Sequence, residues 1–442
     1  LKTTKTIICA IIIAFVAVSL FVSIPTQAQT PIITPEHLYV LGSSTIYPIS
    51  AQAVPAFETY IATLSSPFTA TSVTLNDLGS GVGLNTLKST PPTADIAASS
   101  RSGVNSGLYD LNYPLPGSTI INPQEFLIGY DSIAILVPVT NTWLSQASAS
   151  EVADLFRASA NDDLHPLYRT WGDWASAQVP PVALPIGVAS QTIERIGRDV
   201  SSGTFDCFNT FFLQPFDYNM AYNVQTGLTA GNWLPSNYQG LNSNADVMTA
   251  ISQTQNQYAI GFVSLGFVQN DLGSFHPNGV IPLKLYNPTT GAYVTPSVTN
   301  VRYGFYVNDQ ATPETIVRPL CYFMDGIPSA NNAEAVKSLW ISFIKAHDEF
   351  LVTDGYITMN RIDFTGAPSG NPNPSVGTQA VPDGIVNIQD LIYFANAWIE
   401  YYGPNRLLNP YVDISGPNGL PDGKIDFYDL TAFANHWITY YS

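Results

Sequence analysis

The stretch Arg198-Asp199-Val200-Ser201-Ser202-Gly203-Thr204 sets an arginine a few residues before a Ser-Gly-Thr turn, which opens an apolar, aromatic segment from Phe205 to Leu213. A helix that begins at Ser202, Gly203 and Thr204 leaves its first N–H groups unpaired. Those donors, the positive end of the helix dipole and the hydroxyls make a seat for an anion. Arg198 adds a planar, permanently charged fork suited to a tetrahedral oxyanion.

Turns of the same kind recur upstream. The apolar strand Leu38-Tyr39-Val40-Leu41 runs into Gly42-Ser43-Ser44-Thr45-Ile46-Tyr47-Pro48, where proline marks a helix start. Val73-Thr74-Leu75 leads to Gly79-Ser80-Gly81-Val82-Gly83 and a helical stretch ending near Lys88. Ala94-Asp95-Ile96-Ala97-Ala98 leads to Ser99-Ser100-Arg101. Three strand-to-polar-turn units predict an α/β sheet with a site beyond the carboxyl ends of its strands. Taken alone, the Gly79 turn is a plain tight turn. Lys88-Ser89 lacks the glycine that a P-loop places before its lysine, and Gly79-Ser80-Gly81 lacks the third glycine of a dinucleotide fingerprint.

Further along, Ile128 to Val139 reads as one long apolar strand and Ser148 to Arg157 as a serine-capped amphipathic helix. Trp171-Gly172-Asp173-Trp174 reads as a turn, Asp246 to Gln253 as a helix, and Ala259 to Val263 as a buried strand. Arg318 to Phe323 reads as another strand, and Ala333 to Phe350 as an amphipathic helix with Ala335, Leu339, Phe343 and Ala346 at helical spacing.

The chain's 442 residues allow roughly two to four compact units. A hydrophobic fraction of 45% rules out a disordered chain, and a net charge of −17 argues against nucleic acid or an anionic membrane surface as partner. Lys2 and Lys5, the apolar run Ile7 to Ile24 and Thr26-Gln27-Ala28 read as an export signal over residues 1–28, cleaved after Ala28. The alternative is an uncleaved anchor, since about 18 apolar residues can span a bilayer. Either way the protein is expected outside the cytoplasmic membrane. Beyond the signal only Cys207 and Cys321 remain, which is too few for a disulfide framework and reads as two buried thiols. There is no Gly-x-Ser-x-Gly elbow, and His37, His165, His276, His347 and His436 lie outside the motifs, which argues against a hydrolase.

The ordered set of motifs resembles a family. Gly42-Ser43-Ser44-Thr45 with Pro48, Gly79-Ser80-Gly81, Asp95 to Arg101 and Arg198 with Ser202-Gly203-Thr204 come in sequence. Ala259-Ile260-Gly261-Phe262-Val263-Ser264-Leu265-Gly266, Arg318-Pro319-Leu320 with Phe323, and Asp354-Gly355-Tyr356-Ile357 follow. Over residues 36–358 the chain resembles the phosphate-binding subunit of phosphate ABC transporters. The resemblance implies a two-lobed type II periplasmic-binding-protein fold, two α/β lobes joined by two crossing strands and clamping an anion between them. Lobe 1 would hold about residues 36–128 and 318–358, and lobe 2 about residues 129–317. Carried over by motif, the binding residues are Ser44, Thr45, Ser80, Ser100, Arg198, Ser202, Gly203 and Thr204, with Arg101 and the Ile46 N–H as additions. The implied partners are inorganic phosphate or a similar oxyanion and an ABC permease. At Ser100 the chain departs from the family, many of whose members carry an aspartate there that accepts a phosphate proton and excludes sulfate. Serine lacks that charge, though its oxygen can accept a hydrogen bond.

After a Gly/Pro/Asn/Ser stretch, Gly366 to Ala380, Pro382 to Tyr402 repeats as Pro421 to Tyr441 with 12 of 21 positions identical. Both copies carry Pro-Asp-Gly, a second acidic residue and Phe-Ala-Asn-x-Trp-Ile-x-Tyr-Tyr. The order fits the later half of a calcium loop. Asp383, Asn387 and Asp390 with the Ile385 carbonyl are the ligands of one copy, and Asp422, Asp426 and Asp429 with the Lys424 carbonyl those of the other. Asp363 with Thr365 and Asp413 with Ser415 read as the loop starts, although they stand further upstream than a loop of about 12 residues allows. They are either ligands before an insertion or plain turn residues. The following helices carry apolar stripes, Leu391, Phe394, Ala395, Trp398, Ile399 and Leu430, Phe433, Ala434, Trp437, Ile438, expected to pack on each other. Residues 359–442 resemble the type I dockerin module, which implies a small all-α EF-hand-like domain with two calcium ions and a cohesin-like partner. Two readings stand: an exported oxyanion receptor for an ABC importer that also carries this module, and a cell-surface attachment protein in which the module is the working part.

Overall fold

The computed structural model describes residues 37–64, 72–89, 92–100, 123–156, 168–200, 202–216, 238–268, 279–326, 328–330, 334–358, 364 and 386–441. In chain order the strands are β1 (His37–Gly42), β2 (Ser72–Asn76), β3 (Ile96–Ser99), β4 (Pro123–Asp131), β5 (Ile133–Pro138), β6 (Gln146–Ala147), β7 (Glu194–Arg198), β8 (Tyr238–Leu241), β9 (Ala259–Ser264), β10 (Val280–Pro282), β11 (Lys284–Asn287), β12 (Ala292–Val294) and β13 (Arg318–Asp325). One sheet has the order β2-β1-β3-β13-β4 and a second β10-β5-β9-β7-β8, with a small third sheet β12-β11-β6. β1 runs parallel to β2 and β3, and β7 parallel to β8 and β9. β13 is antiparallel to β3 and β4, and β5 to β9 and β10. The parallel strands at each sheet's centre aim their carboxyl ends at the space between the two lobes.

The apolar run from Ile128 to Val139 is two strands in two sheets, not one. The break falls at Asp131 and Ser132, where polar side chains turn to specific partners. Asp131 takes the Arg318 guanidinium, and the Ser132 hydroxyl donates to the Ile316 carbonyl. The chain therefore crosses between lobes at Ser132 and returns through Ile316 and Val317 into β13.

Two other expectations change. Trp171 opens a helix, Trp171–Ala177, because Thr170 and Asp173 form a reciprocal capping box that satisfies its first donors. The stretch from Ala333 to Phe350 divides into Ala335–Ala346 and Asp348–Thr353 around His347, whose backbone leaves the helical region. Gly42, with φ of 139°, lets β1 pass against β3, since a Cβ there would lie 2.2 Å from the Ala98 carbonyl oxygen.

Each lobe has its own core. Ile133, Phe205, Phe208 and Phe262 belong to the second, where Phe208 and Phe262 stack at 3.9 Å. The first lobe's core does not end with the lobe. Phe57, Trp340 and Phe343 share one continuous cluster with Phe364, Phe394, Trp398, Tyr411, Phe433 and Trp437 from the C-terminal region. The C-terminal helices Ile388–Tyr402 and Phe427–Tyr441 pack on each other through Phe394 and Phe433, whose rings lie 5.2 Å apart. Ile399 leaves the expected stripe and is 63% exposed. Tyr411 packs edge-on against Phe126 and accepts from the Leu127 N–H of edge strand β4. Ala330 N donates to the Arg406 carbonyl and Leu408 N to the Pro328 carbonyl. Among the described residues the C-terminal region is thus built into the first lobe, with no core of its own. Among the described residues no helix is long and apolar enough to cross a membrane. The proposed signal, residues 1–28, and the stretch Gly366 to Ala380 lie outside the described residues.

Candidate functional site

The site forms where β1, β2, β3 and β7 end. Gly42 ends β1, and the turn after it carries Ser43, Ser44 and Thr45. Gly79 leads into the helix Ser80–Lys88, and Ser99 ends β3 just before Ser100. Arg198 is the last residue of β7 in the other lobe, and Ser202 caps the helix Gly203–Phe208. The expected residues Ser44, Thr45, Ser80, Ser100, Arg198, Ser202, Gly203 and Thr204 thus fall on the facing ends of the two sheets. Arg101 lies outside the described residues.

Three contacts bridge the lobes. Arg198 Nη2 donates to Ser44 Oγ at 2.9 Å. Thr45 Oγ1 and Thr204 Oγ1 are 3.4 Å apart. Gly203 packs directly on the opposite turn, and a Cβ there would stand 2.1 Å from Ser100 Oγ and 3.0 Å from Ser80 Oγ.

The weight of the site differs from what the sequence predicts. The helix after Ser202 runs only from Gly203 to Phe208 before it widens into a π-helical turn, Asn209–Leu213, so its dipole is short. The Ser202 hydroxyl accepts from the Phe205 N–H at 3.0 Å. The Ile46 N–H donates to the Ser43 carbonyl at 3.1 Å and its side chain is fully buried, so it offers nothing to a ligand. What carries the site instead is a pair of arginines. Arg198 donates Nε to the Leu241 carbonyl and Nη2 to the Asn242 carbonyl, while its buried Nη1 has no partner. Arg318, at the start of β13, has no counterpart among the residues expected from sequence. Its Nε meets Asp131 Oδ2 at 3.0 Å, Nη1 meets Ser100 Oγ at 3.2 Å and Nη2 meets Thr45 Oγ1 at 3.1 Å. Its signal in the sequence is the motif Arg318-Pro319-Leu320 with Phe323, which marks a strand start and not a site residue.

Burial pushes the Arg198 guanidinium down to about 10, and the charge of Arg318 pushes the same way. Opposing pulls from Tyr238, Asp199 and Asp246 are weaker. Arg198 still carries full charge near neutrality. Two buried guanidiniums close enough to repel, with one carboxylate bound to one of them, form a locally cationic cleft. The arrangement can hold a compact anion between the Arg198 fork and a ring of hydroxyls.

The acidic loops form a second cluster. Asp429 Oδ1 accepts from Ile414 N at 2.7 Å and Ser415 N at 2.9 Å, and Oδ2 from Asp426 N at 2.8 Å. Asp413 accepts from Asp422 N at 3.1 Å and Gly423 N at 3.0 Å. In the first copy Asp390 accepts from Phe364 N at 2.6 Å and Asn387 N at 2.7 Å. Phe364 therefore stands to Asp390 as Ile414 stands to Asp429, although a much longer segment separates the first pair. Asp363, Thr365, Asp383 and Ile385 lie outside the described residues. Burial, then Asp429 and Asp422, hold the Asp413 carboxyl well above the usual range. Among the described residues no three Asp, Glu, His or Cys side chains converge as a metal cage. Lys424 Nζ lies 3.6 Å from Asp422 Oδ2. Carboxylate oxygens of this kind suit a hard cation.

No protein-family model matches the sequence, and no curated protein matches it. Among solved structures the chain is similar to a putative phosphate ABC transporter substrate-binding protein with bound phosphate from Clostridium perfringens, at 18% identity and a TM-score of 0.48 over 73% of this chain and 99% of that one. An ABC-type phosphate transport receptor from Vibrio cholerae aligns at 19% identity and a TM-score of 0.45, over 73% of this chain and 99% of the other. A possible phosphate binding protein from Planctomyces limnophilus aligns at 18% identity and a TM-score of 0.43, over 74% and 93% respectively.

Proposed function

We propose that the chain is an exported solute-binding protein that captures inorganic phosphate or a similar tetrahedral oxyanion for an ABC importer. The observation that carries this is the buried, unpartnered Nη1 of Arg198 beside a second guanidinium and a ring of serine and threonine hydroxyls. Two facing lobes supply the donors, so the anion is bound by both at once and favours the closed arrangement. Calorimetric titration of the full chain with inorganic phosphate and with sulfate tests the reading. Saturable heat with either anion supports it, and no heat with both overturns it.

The C-terminal loops serve attachment in this reading. Asp413, Ser415, Asp422, Asp426 and Asp429 with the Lys424 carbonyl would hold one calcium ion. Asp363, Thr365, Asp383, Asn387 and Asp390 with the Ile385 carbonyl would hold another. Support comes from the duplicated order of acidic residues and from the buried carboxyls of Asp413 and Asp429, set against each other. Calcium should raise the melting temperature of the full chain and chelator should reverse it, because a ligand of the folded form stabilises it. An unchanged transition in calcium and in chelator would remove the metal from the account.

The attachment reading has its own observation. Ile388 and Phe427 occupy the same position of the two repeats and are 52% and 50% exposed at the start of their helices. A cohesin-like partner would cover such paired apolar positions. Binding to a panel of cohesin domains, lost in Ile388→Asp with Phe427→Asp, is the check.

A further inference from the structure

Arg318 stands where the chain re-enters the first lobe. It opens β13, and its register partner on β4 is Asp131, the last residue before the chain leaves that lobe. One ion pair therefore flanks both crossings. Arg318 donates Nε to Asp131 Oδ2 at 3.0 Å, and Nη2 reaches the same oxygen. Both side chains are buried.

The pair is tied on two sides. Towards the seat, Nη1 meets Ser100 Oγ and Nη2 meets Thr45 Oγ1. Towards the second lobe, Asp131 Oδ2 accepts from Ser264 Oγ at 2.6 Å. Ser264 ends β9, and its N–H donates at 3.2 Å to Asn244 Oδ1, in the helix Asn244–Ser252. The next N–H, of Leu265, donates at 2.8 Å to the Ser132 carbonyl, on the crossing itself. Tyr356 adds a parallel link: its hydroxyl donates to the Thr45 carbonyl at 2.7 Å, and its side chain meets that of Ser264. Buried polar contacts thus run from two hydroxyls of the seat, through Arg318 and Asp131, to a strand end of the opposite lobe.

We propose that Arg318 is a positioning residue that joins the seat to the lobe crossing: through Ser100 and Thr45 it fixes hydroxyls of the first lobe, and through Asp131 and Ser264 it registers the angle between the lobes. The inference rests on the oxyanion reading above and deepens it. A planar guanidinium with five donors serves all three partners at once, which a single ammonium on a flexible stem does not. Members of one buried network are set together, so displacing one shifts the others. Rotation of lobe 2 about Ser132 and Val317 moves Ser264 against Asp131, and the guanidinium carries that movement to Ser100 and Thr45. A bound anion and the closed angle then favour each other. Arg198, by contrast, is held by the Leu241 and Asn242 carbonyls of its own lobe.

Calorimetry of the full chain and its variants with inorganic phosphate and with sulfate, alongside small-angle scattering, tests this. Arg318→Lys keeps the charge and can pair with Asp131, but cannot also span Ser100 and Thr45. Its affinity for whichever anion the parent binds should fall roughly tenfold or more, while its far-ultraviolet dichroism stays that of the parent. Ser264→Ala removes the second-lobe end of the chain of contacts. It should weaken the same anion about threefold or more and enlarge the radius of the anion-free protein. The double variant should bind about as weakly as Arg318→Lys alone, because both changes act along one path. Parental affinity in Arg318→Lys, or losses that multiply in the double variant, overturns the inference. So does a Ser264→Ala chain that melts lower yet binds and contracts like the parent, which is how a merely structural contact behaves. Each of these leaves the oxyanion reading standing. A parent chain that binds neither anion removes that reading, and this inference with it.

Discussion

Arg318 has partners separated from it in sequence by 187, 218 and 273 residues: Asp131, Ser100 and Thr45. The Arg318-Pro319-Leu320 motif marks the strand but not this role, which exists only once β13 has returned to the first sheet. Arg198 is legible by contrast, since its turn and capping serine lie within a few positions. Truncating Arg198 should remove a charged partner from a buried anion, at a cost of roughly 2–5 kcal/mol, or on the order of 30- to several-thousand-fold in affinity. Arg198→Ala is therefore expected to lose oxyanion binding in calorimetry while its far-ultraviolet dichroism stays that of the parent. Gly203 makes a separate prediction. Its Cα faces Ser100 so closely that an added methyl must push the lobes apart. Gly203→Ala should keep its melting temperature, bind the anion at least tenfold more weakly, and show by small-angle scattering no contraction on adding the anion. A variant that contracts and binds like the parent would mean that the lobes do not meet there.

Among the elements, those governed by local chemistry were the most legible. Ser43, Gly79 and Ser202 mark turns because serine and glycine satisfy or open the backbone there. Thr170 and Asp173 spell a capping box within four residues, so the helix Trp171–Ala177 was open to reading even though its paired tryptophans resemble a turn. The split between β4 and β5 was not, because apolar residues on both sides of Ser132 give one unbroken pattern while the sheets that receive them differ. The acidic loops lie between these cases. Their duplicated order of acidic residues is visible, but the approach of Phe364 to Asp390 spans 26 positions of sequence. Edge strand β4 gives a test at this scale. Its Leu127 N–H is met by the Tyr411 hydroxyl and its Tyr130 N–H by the Ile357 carbonyl at 2.9 Å, which closes an edge that would otherwise invite pairing. Tyr411→Phe keeps the ring against Phe126 and removes the acceptor. It should cost about 1–3 kcal/mol in chemical denaturation without changing anion affinity, and a stability equal to the parent's would show that the hydroxyl contact is immaterial.

For the whole molecule, the sequence divides at a Gly/Pro-rich stretch as if a module were strung on a linker, whereas the apolar core runs across that boundary. Composition reports where the chain is polar, not which surfaces later meet. Phe394, Trp398, Tyr411 and Phe433 are buried with Trp340 and Phe343 in one cluster. Each such side chain contributes about 1.5–3 kcal/mol on burial. A chain ended after Thr358 should therefore melt well below the parent or fail to stay in solution, and equal melting would mean that the first lobe is complete without it.

That shared core also decides how the molecule would respond to being held. If the C-terminal helices are its point of attachment, a pull on them meets no slack: it passes through Tyr411 into β4 and the first sheet. Lobe 1 then becomes the stator and lobe 2, linked to it at Ser132 and Val317, the only part free to swing. Ligand capture by the anchored protein would be the motion of a single jaw against a fixed one.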